Sequence, residues 1–326
     1  MILCHSVLLL AVHHEGYESD FLYWFTDSIL GAYLGAAPAF MFAMGVGFTF
    51  SKRNAPKEFV RRGIRLFLLG YVLNFFRYGI YTLLLRKSVP ALGERILTAL
   101  LAPDIFHFAG LAMLLTGLFK KLRLNKLHIF CISLAMSAAG SAVVLTDTGC
   151  YVTNLLVGHI VTTTPDTSRF APANWYIFAA SGMVFGAVIR RVPDRDVFYR
   201  RLLGVSGIIS AVYILLSCIF GEQFLTKDRY YYALGTLDAA GMLAIDLLQL
   251  SVFYFVVKSR GTSRLAPALE MSRNITAIYS VHWCILGFTD CVFCYALGCS
   301  FSYLFIYLYG VALTILSFCI AKARKQ

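Results

Sequence analysis

Charge is what this chain has least of. Asp, Glu, Lys and Arg make up 14% of its 326 residues, whereas a soluble domain carries about 25%. With 59% hydrophobic residues beside it, that deficit excludes an ordinary soluble fold and leaves a polytopic membrane protein. Acidic side chains are the scarcer kind, so the formal net charge is +12. No basic stripe with interleaved aromatics accompanies the positive charge, which excludes nucleic-acid binding. There is no P-loop, G-x-S-x-G elbow, H-E-x-x-H pair or Rossmann fingerprint. Nor is there a linker, a low-complexity tract or a soluble domain. The nine cysteines are odd in number, and several (Cys131, Cys218, Cys284, Cys319) lie in apolar runs. They read as small buried side chains rather than a disulfide framework. Cys291-x2-Cys294 has redox spacing but lacks the soluble thioredoxin-like context. No metal site is expected.

What is present is a succession of hydrophobic runs of spanning length. They fall near 29–50, 64–85, 104–119, 127–146, 172–189, 202–220, 234–257, 275–296 and 301–321. A shorter run, Met1 to Val12, precedes them and covers only ~18 Å at the helical rise. It is expected to be the outer part of a first span whose inner turns lie ahead of Met1. The fold class is therefore all-α: a membrane bundle of about ten helices forming a single domain over 1–326. Lys and Arg follow alternate spans: Lys52 to Arg65, Lys120 to Lys126, Arg190 to Arg201, Lys258 to Arg273, and Lys322 to Lys325. Arg77, Arg86, Lys87, Arg95, Arg169, Lys227 and Arg229 fall in or near the opposite loops. The positive-inside rule then puts both termini in the cytoplasm. His13 and His14 come to lie at the extracytoplasmic face, with His5 about two turns deeper.

The second run is rich in small residues, including Gly31-x3-Gly35, and should pack closely on its neighbours. Pro38 within it suggests a kink beside a cavity. Segment 90–102 reads as an amphipathic surface helix. The stretch 147–171 should hold a short helix with Asn154 and His159 near one another.

Ionisable and amide groups in spans are expensive and mark function. They are His5, Asn74, Arg77, Asp104, His107, Asn174, Asp238, Asp246, Gln249, Asn274, Tyr279 and His282. Asp104 and His107 are spaced i,i+3 and share a helix face. Most of these positions belong to the outer half of the membrane and are expected to ring one cavity. His128 is read as interfacial.

Several blocks resemble one family. M-I-L-C-H resembles its first-span end, M-x-x-x-H or M-x-x-x-N. P-A-F-M-F-A-M-G-V-G-F-T-F-S resembles its second-span block, and F-V-R-R-G-I-R-L-F-L-L-G its R-R-x-x-x-L-x-x-x-G. D-I-F-H-F-A-G-L resembles I-L-Q-x-x-G-L, and N-I-T-A-I-Y-S-V-H a late N-x4-Y-x2-H motif. Together they resemble the transmembrane acyltransferase superfamily, in particular its heparan-α-glucosaminide N-acetyltransferase-like branch. That resemblance implies acetyl-CoA as cytoplasmic donor and an envelope carbohydrate or related acceptor on the far side. It implies a histidine near the end of the first span as general base or transient acetyl carrier. His13 or His14 matches that position approximately, and His5 matches the deeper Asn/His position. The loop length departs by two or three residues, so the choice among the three stays open. Imidazole supplies a base near pKa 7. Asp104 or Asp238 would orient it, and Asn74, Asn274 or His282 would face the oxyanion. Arg53, Arg61, Arg62 and Arg65 would hold the CoA phosphates, with a plain topology signal as the other account of the same arginines. A multi-pass cell-membrane location follows; a homo-oligomer is compatible with it. A proton-coupled transporter is the alternative, with Asp238, Asp246 and His5 at mid-membrane, but no internal repeats are evident.

Overall fold

The computed structural model describes residues 1–34, 36–94, 96–142, 147–164, 167–219, 231–261 and 263–324. Gly35, Arg95, Lys227, Arg229 and Lys325, which entered the packing and charge arguments, lie outside the described residues. Among those described, every regular element is a helix. The α-helices of eight or more residues are α1 (Ile2–Leu10), α2 (Ala36–Phe50), α3 (Pro56–Asn74), α4 (Ile105–Lys121), α5 (Lys126–Ala142), α6 (Tyr151–Gly158), α7 (Pro172–Ile189), α8 (Arg195–Ile219), α9 (Thr236–Arg260), α10 (Ala266–Arg273), α11 (Ile275–Phe288) and α12 (Tyr303–Ala323). Phe25–Tyr33, Phe75–Gly79 and Thr289–Ala296 are π-helical, a widened turn that recurs at functional sites.

Six described stretches are long and apolar enough to cross a membrane: Pro56–Leu85, Pro172–Ile189, Arg195–Ile219, Thr236–Arg260, Ile275–Ala296 and Tyr303–Ala323. Ile2–His13, Ala37–Phe50 and Lys126–Ala142 are shorter apolar helices. The protein is a multi-pass helical membrane protein. Its helices show the inverted pattern this solvent demands. Along α8, Ser206, Ser210, Tyr213 and Ser217 are buried, while Val205, Ile208, Val212, Leu215 and Ile219 are exposed. Small and hydroxylated side chains face neighbouring helices and apolar ones face lipid, because lipid offers apolar groups no penalty.

The chain divides into two compact units. The first comprises 1–34, 71–101 and 255–326. Here α1 lies on α12 and α11, with Val7, Leu10, Leu286, Ile306 and Leu313 at the core. Gly310 allows that approach: a Cβ there would stand 2.9 Å from Leu3 Cδ1. Gly287 of α11 does the same for the Phe75–Gly79 turn, with its would-be Cβ 1.9 Å from the Arg77 carbonyl oxygen. Segment 90–102 forms two short helices, Pro90–Glu94 and Ile96–Leu101.

The second unit comprises 35–70 and 102–254. Its centre is α7, whose mean hydropathy is shared by all sides and most of whose residues are buried, as expected of an interior helix. It packs against α2 and α5. The close approach predicted for the second run occurs through Gly45, which sits against the backbone of Ala179. Pro38 lies in the first turn of α2, where its missing N–H leaves no bond unmade.

Asn174 ties three segments of this unit together. It is fully buried; its Nδ2 donates to Leu234 O at 2.8 Å, and its Oδ1 accepts from Thr162 Oγ1 at 3.0 Å. Asn174→Ala leaves both partners without their buried bonds, so a loss of about 1–3 kcal/mol is expected. Thermal unfolding in detergent measures it; an unchanged midpoint would contradict the account.

Candidate functional site

The described histidines of the first unit form two groups along the start of the chain. His5, on α1, is stacked on His282 of α11, with His5 Nδ1 3.0 Å from His282 Nε2. His282 Nδ1 lies 3.1 Å from the carbonyl oxygen of Ile278. A carbonyl only accepts, so His282 Nδ1 carries a proton and its Nε2, in the neutral ring, is an acceptor. His5 Nδ1 therefore donates, which leaves His5 Nε2 with a basic lone pair. Tyr279 packs edge-on to both rings. Trp283 lies against His5, and the Arg77 guanidinium sits 4.8 Å above the Trp283 ring. The Tyr279 and His282 of the late sequence motif thus meet the His5 of the early one. They do so because Ile278, Tyr279, His282 and Leu286 occupy the buried face of α11.

The second group lies where α1 ends. The chain tightens into a 3-10 turn, Ala11–His13, then reverses at Gly16, whose φ of 73° suits glycine. That turn aims His13 Nε2 at Asp290 Oδ1, 2.8 Å away. Asp290 is buried in the π-helical turn Thr289–Ala296. A carboxylate only accepts, so against the carboxylate form of Asp290 the His13 Nε2–H donates and Nδ1 is left as a base. Tyr295 packs edge-on to the His13 ring at 4.8 Å, and Cys294 lies beside the pair. His14 is exposed, with Nδ1 3.4 Å from Ser300 Oγ. Asp290 was not among the residues picked out from sequence. The signal existed: an acid inside the apolar run 285–297 is costly unless employed.

Elsewhere in this unit, Asn74 Nδ2 donates to Leu100 O at 3.2 Å. Asn274 joins α10 to α11, its Nδ2 donating to Glu270 O at 2.9 Å.

In the second unit Asp104 and His107 share a face as predicted, and the structure shows a use for it. Asp104 is the N-cap of α4 in a reciprocal capping box: its carboxylate accepts from the backbone of the first turn, and His107 Nδ1 accepts from Asp104 N–H at 3.0 Å. Gly70 leaves room for the His107 ring, which a Cβ would approach within 2.5 Å. His159 meets His107 edge-on, and its Nδ1 donates to Leu155 O. Burial holds the His159 imidazole below its ordinary range, with the Leu155 carbonyl opposing. Asn154 binds Asp147 and Thr148 at the other end of α6. Asp238 of α9 is fully buried and accepts from Tyr213 OH at 3.0 Å. Asp246 of α9 is also buried.

Two basic cavities lie in this unit. One, an open surface hollow of about 500 Å³, is lined by Lys52, Arg53 and Arg61 together with the acidic Glu58; Arg62 and Arg65 are not in its lining. The other, about 520 Å³, brings together Lys120, Lys126, Arg190 and Arg191. Burial pulls Lys126 below its ordinary range, and the charges of Arg190 and Arg191 lower it further. A bound anion would relieve that crowding. These four residues had been read from sequence only as topology signals.

The helices and their apolar outer faces define the general class, a multi-pass helical membrane protein. Residues 1–226 match the family described as heparan-alpha-glucosaminide N-acetyltransferase, catalytic. The chain belongs to that family, and with it to the transmembrane acyltransferases. Comparison with curated proteins yields no match, and comparison with solved structures yields none.

Proposed function

We propose that this protein moves an acyl group, acetyl by preference, from cytoplasmic acyl-CoA to a hydroxyl or amine of an extracytoplasmic carbohydrate or related envelope acceptor. In this reading 1–326 acts as one catalytic domain, crossing the cell membrane about ten times with both ends cytoplasmic. The observation that carries it is the His13–Asp290 pair, a base with a buried carboxylate on its far nitrogen. His13 Nδ1 takes the proton of the acceptor X–H as X attacks the thioester carbonyl. The tetrahedral intermediate collapses, the C–S bond breaks, and the imidazolium returns the proton to the departing CoA thiolate. Asp290 is a positioning residue that holds the ring and stabilises the imidazolium. His5, with its basic Nε2, is the second candidate base, and the exposed His14 the third. Asn74 and Asn274 are the candidate oxyanion donors; His282, whose N–H goes to Ile278 O and whose Nε2 accepts from His5, instead orients the His5 ring, with Tyr279 packed beside it. Asp104, His107 and Asp238, first chosen for the same cavity, are better supported as the groups that set α4 and α9.

CoA phosphates suit the basic cavities, with Arg53 and Arg61 in one and Lys120, Lys126, Arg190 and Arg191 in the other. Arg62 and Arg65 follow on α3. Arg190→Ala and Lys126→Ala are each expected to weaken CoA binding about three- to tenfold at low salt, less at high salt. Calorimetric titration of detergent-solubilised protein reads this, and salt-independent affinity would argue against phosphate recognition there. Acetyl-CoA labelled on its acetyl group tests the whole reading. Label should reach the protein or an added glycan acceptor. A protein that binds no CoA at all is not this enzyme.

A further inference from the structure

We propose that His13, Asp290 and Cys294 form a binding site for a zinc-type divalent ion, and that the bound ion silences the base. The site stands on its own geometry; only the silencing rests on His13 acting as proposed above.

One ligand atom from each of the three residues lies within 4.8 Å of the other two. A tetrahedral zinc ion with bonds of about 2.0–2.3 Å spaces its ligands roughly 3.3–3.8 Å apart. His13 and Asp290, at 2.8 Å, need to part slightly, and Cys294, no more than 4.8 Å from either, to close by at most about an ångström. Small side-chain rotations do both. An imidazole nitrogen, a carboxylate oxygen and a thiolate form the mixed donor set that this borderline-soft ion prefers, with a fourth position left for water.

The backbone adds a second observation. Asp290 and Cys294 are four residues apart within the π-helical turn, and both are buried. His13 arrives from a different element and is the one member partly open to solvent, its side chain 17% exposed. Two ligands are thus already held in a widened turn, and the third closes over them. All nine cysteines are free thiols, so Cys294 is available as a ligand.

Binding balances simply. Cys294 loses its thiol proton to solvent, and Asp290 binds as the carboxylate. The ion takes His13 Nε2, and the proton that Nε2 carried moves to Nδ1. Nδ1 is the atom that accepts the proton of X–H, so the ion occupies the pair and leaves the ring with no basic nitrogen.

Cobalt(II) is the probe, added to chelator-treated full-length protein in detergent. One equivalent should bind with a thiolate-to-cobalt absorption band. That band should vanish in Cys294→Ser and Cys294→Ala and persist in Cys291→Ser. Zinc should displace the cobalt and inhibit acetyl transfer. Both Cys294 variants should retain transfer while needing at least tenfold more zinc for inhibition. Absence of the band, or a band unchanged in both Cys294 variants of intact thermal stability, overturns the site. The expected band with transfer untouched by saturating zinc would instead leave the site standing and remove His13 from the chemistry.

Discussion

His13→Ala lowers acyl transfer from acetyl-CoA by about 10²–10⁴-fold, the range for losing a positioned general base. In the proposed mechanism the loss falls on kcat, because His13 handles the reacting proton rather than binding CoA. Asp290→Asn keeps the shape of the partner but removes its charge. It also lets the amide donate to His13, which traps the wrong tautomer; a loss of at least about tenfold follows. The double variant should be little worse than His13→Ala, since the two residues act as one unit. His5→Ala and His14→Ala are the comparisons. A wild-type rate in His13→Ala, with the label lost in His5→Ala, would move the base to the His5–His282 pair. Far-ultraviolet circular dichroism and thermal unfolding separate these outcomes from misfolding.

Gly45→Ala and Gly182→Ala each destabilise the protein, by about 1–3 kcal/mol or more. A Cβ on Gly45 would lie 1.9 Å from the Ala179 carbonyl oxygen, and one on Gly182 would lie 2.1 Å from that of Phe42. Both obstacles are backbone, so relief requires moving α2 away from α7, and α7 is the buried centre of its unit. Because the two substitutions push the same helix pair apart, their effects should add incompletely. Gly47→Ala is the control on the same helix. Nothing lies within 4 Å of its would-be Cβ, so it should gain up to ~1 kcal/mol from helix propensity. Midpoints of thermal unfolding in detergent decide the matter, and a destabilised Gly47→Ala with a neutral Gly45→Ala would refute the packing.

Much of this was legible in the chain. Scarce charge and long apolar runs set the helical membrane class, because a continuous apolar run satisfies its own backbone hydrogen bonds in lipid as a helix, whereas a closed barrel needs short alternating strands. The early M-I-L-C-H and late N-x4-Y-x2-H blocks named His5, Tyr279 and His282, which the structure brings together. The i,i+3 spacing of Asp104 and His107 was also sound as geometry. The structure gives the pair a capping use: a polar pair at a helix start satisfies orphan backbone donors as readily as it does chemistry, and the spacing is the same for both.

Other features were hidden for identifiable reasons. Asp290 stands 277 residues from His13, and its side chain is directed by a π-helical turn that no 3.6-residue period foretells. Lys120, Lys126, Arg190 and Arg191 looked like topology signals because a loop charge that holds the chain's orientation and one that lines a cavity have the same sequence signature. Among the described residues the second run makes a close backbone contact at Gly45, a position that the small-residue pattern could not single out, since such a motif says that backbones can meet and not where.

The sequence by itself determined the class of solvent, the helical backbone, the family and the supply of histidines, all of which follow from composition, local periodicity and the order of short motifs. Only the tertiary structure decided that His13 meets Asp290 and His5 meets His282, and which nitrogen keeps its lone pair. Those depend on contacts between segments hundreds of residues apart, and on side-chain directions that local pattern leaves unset.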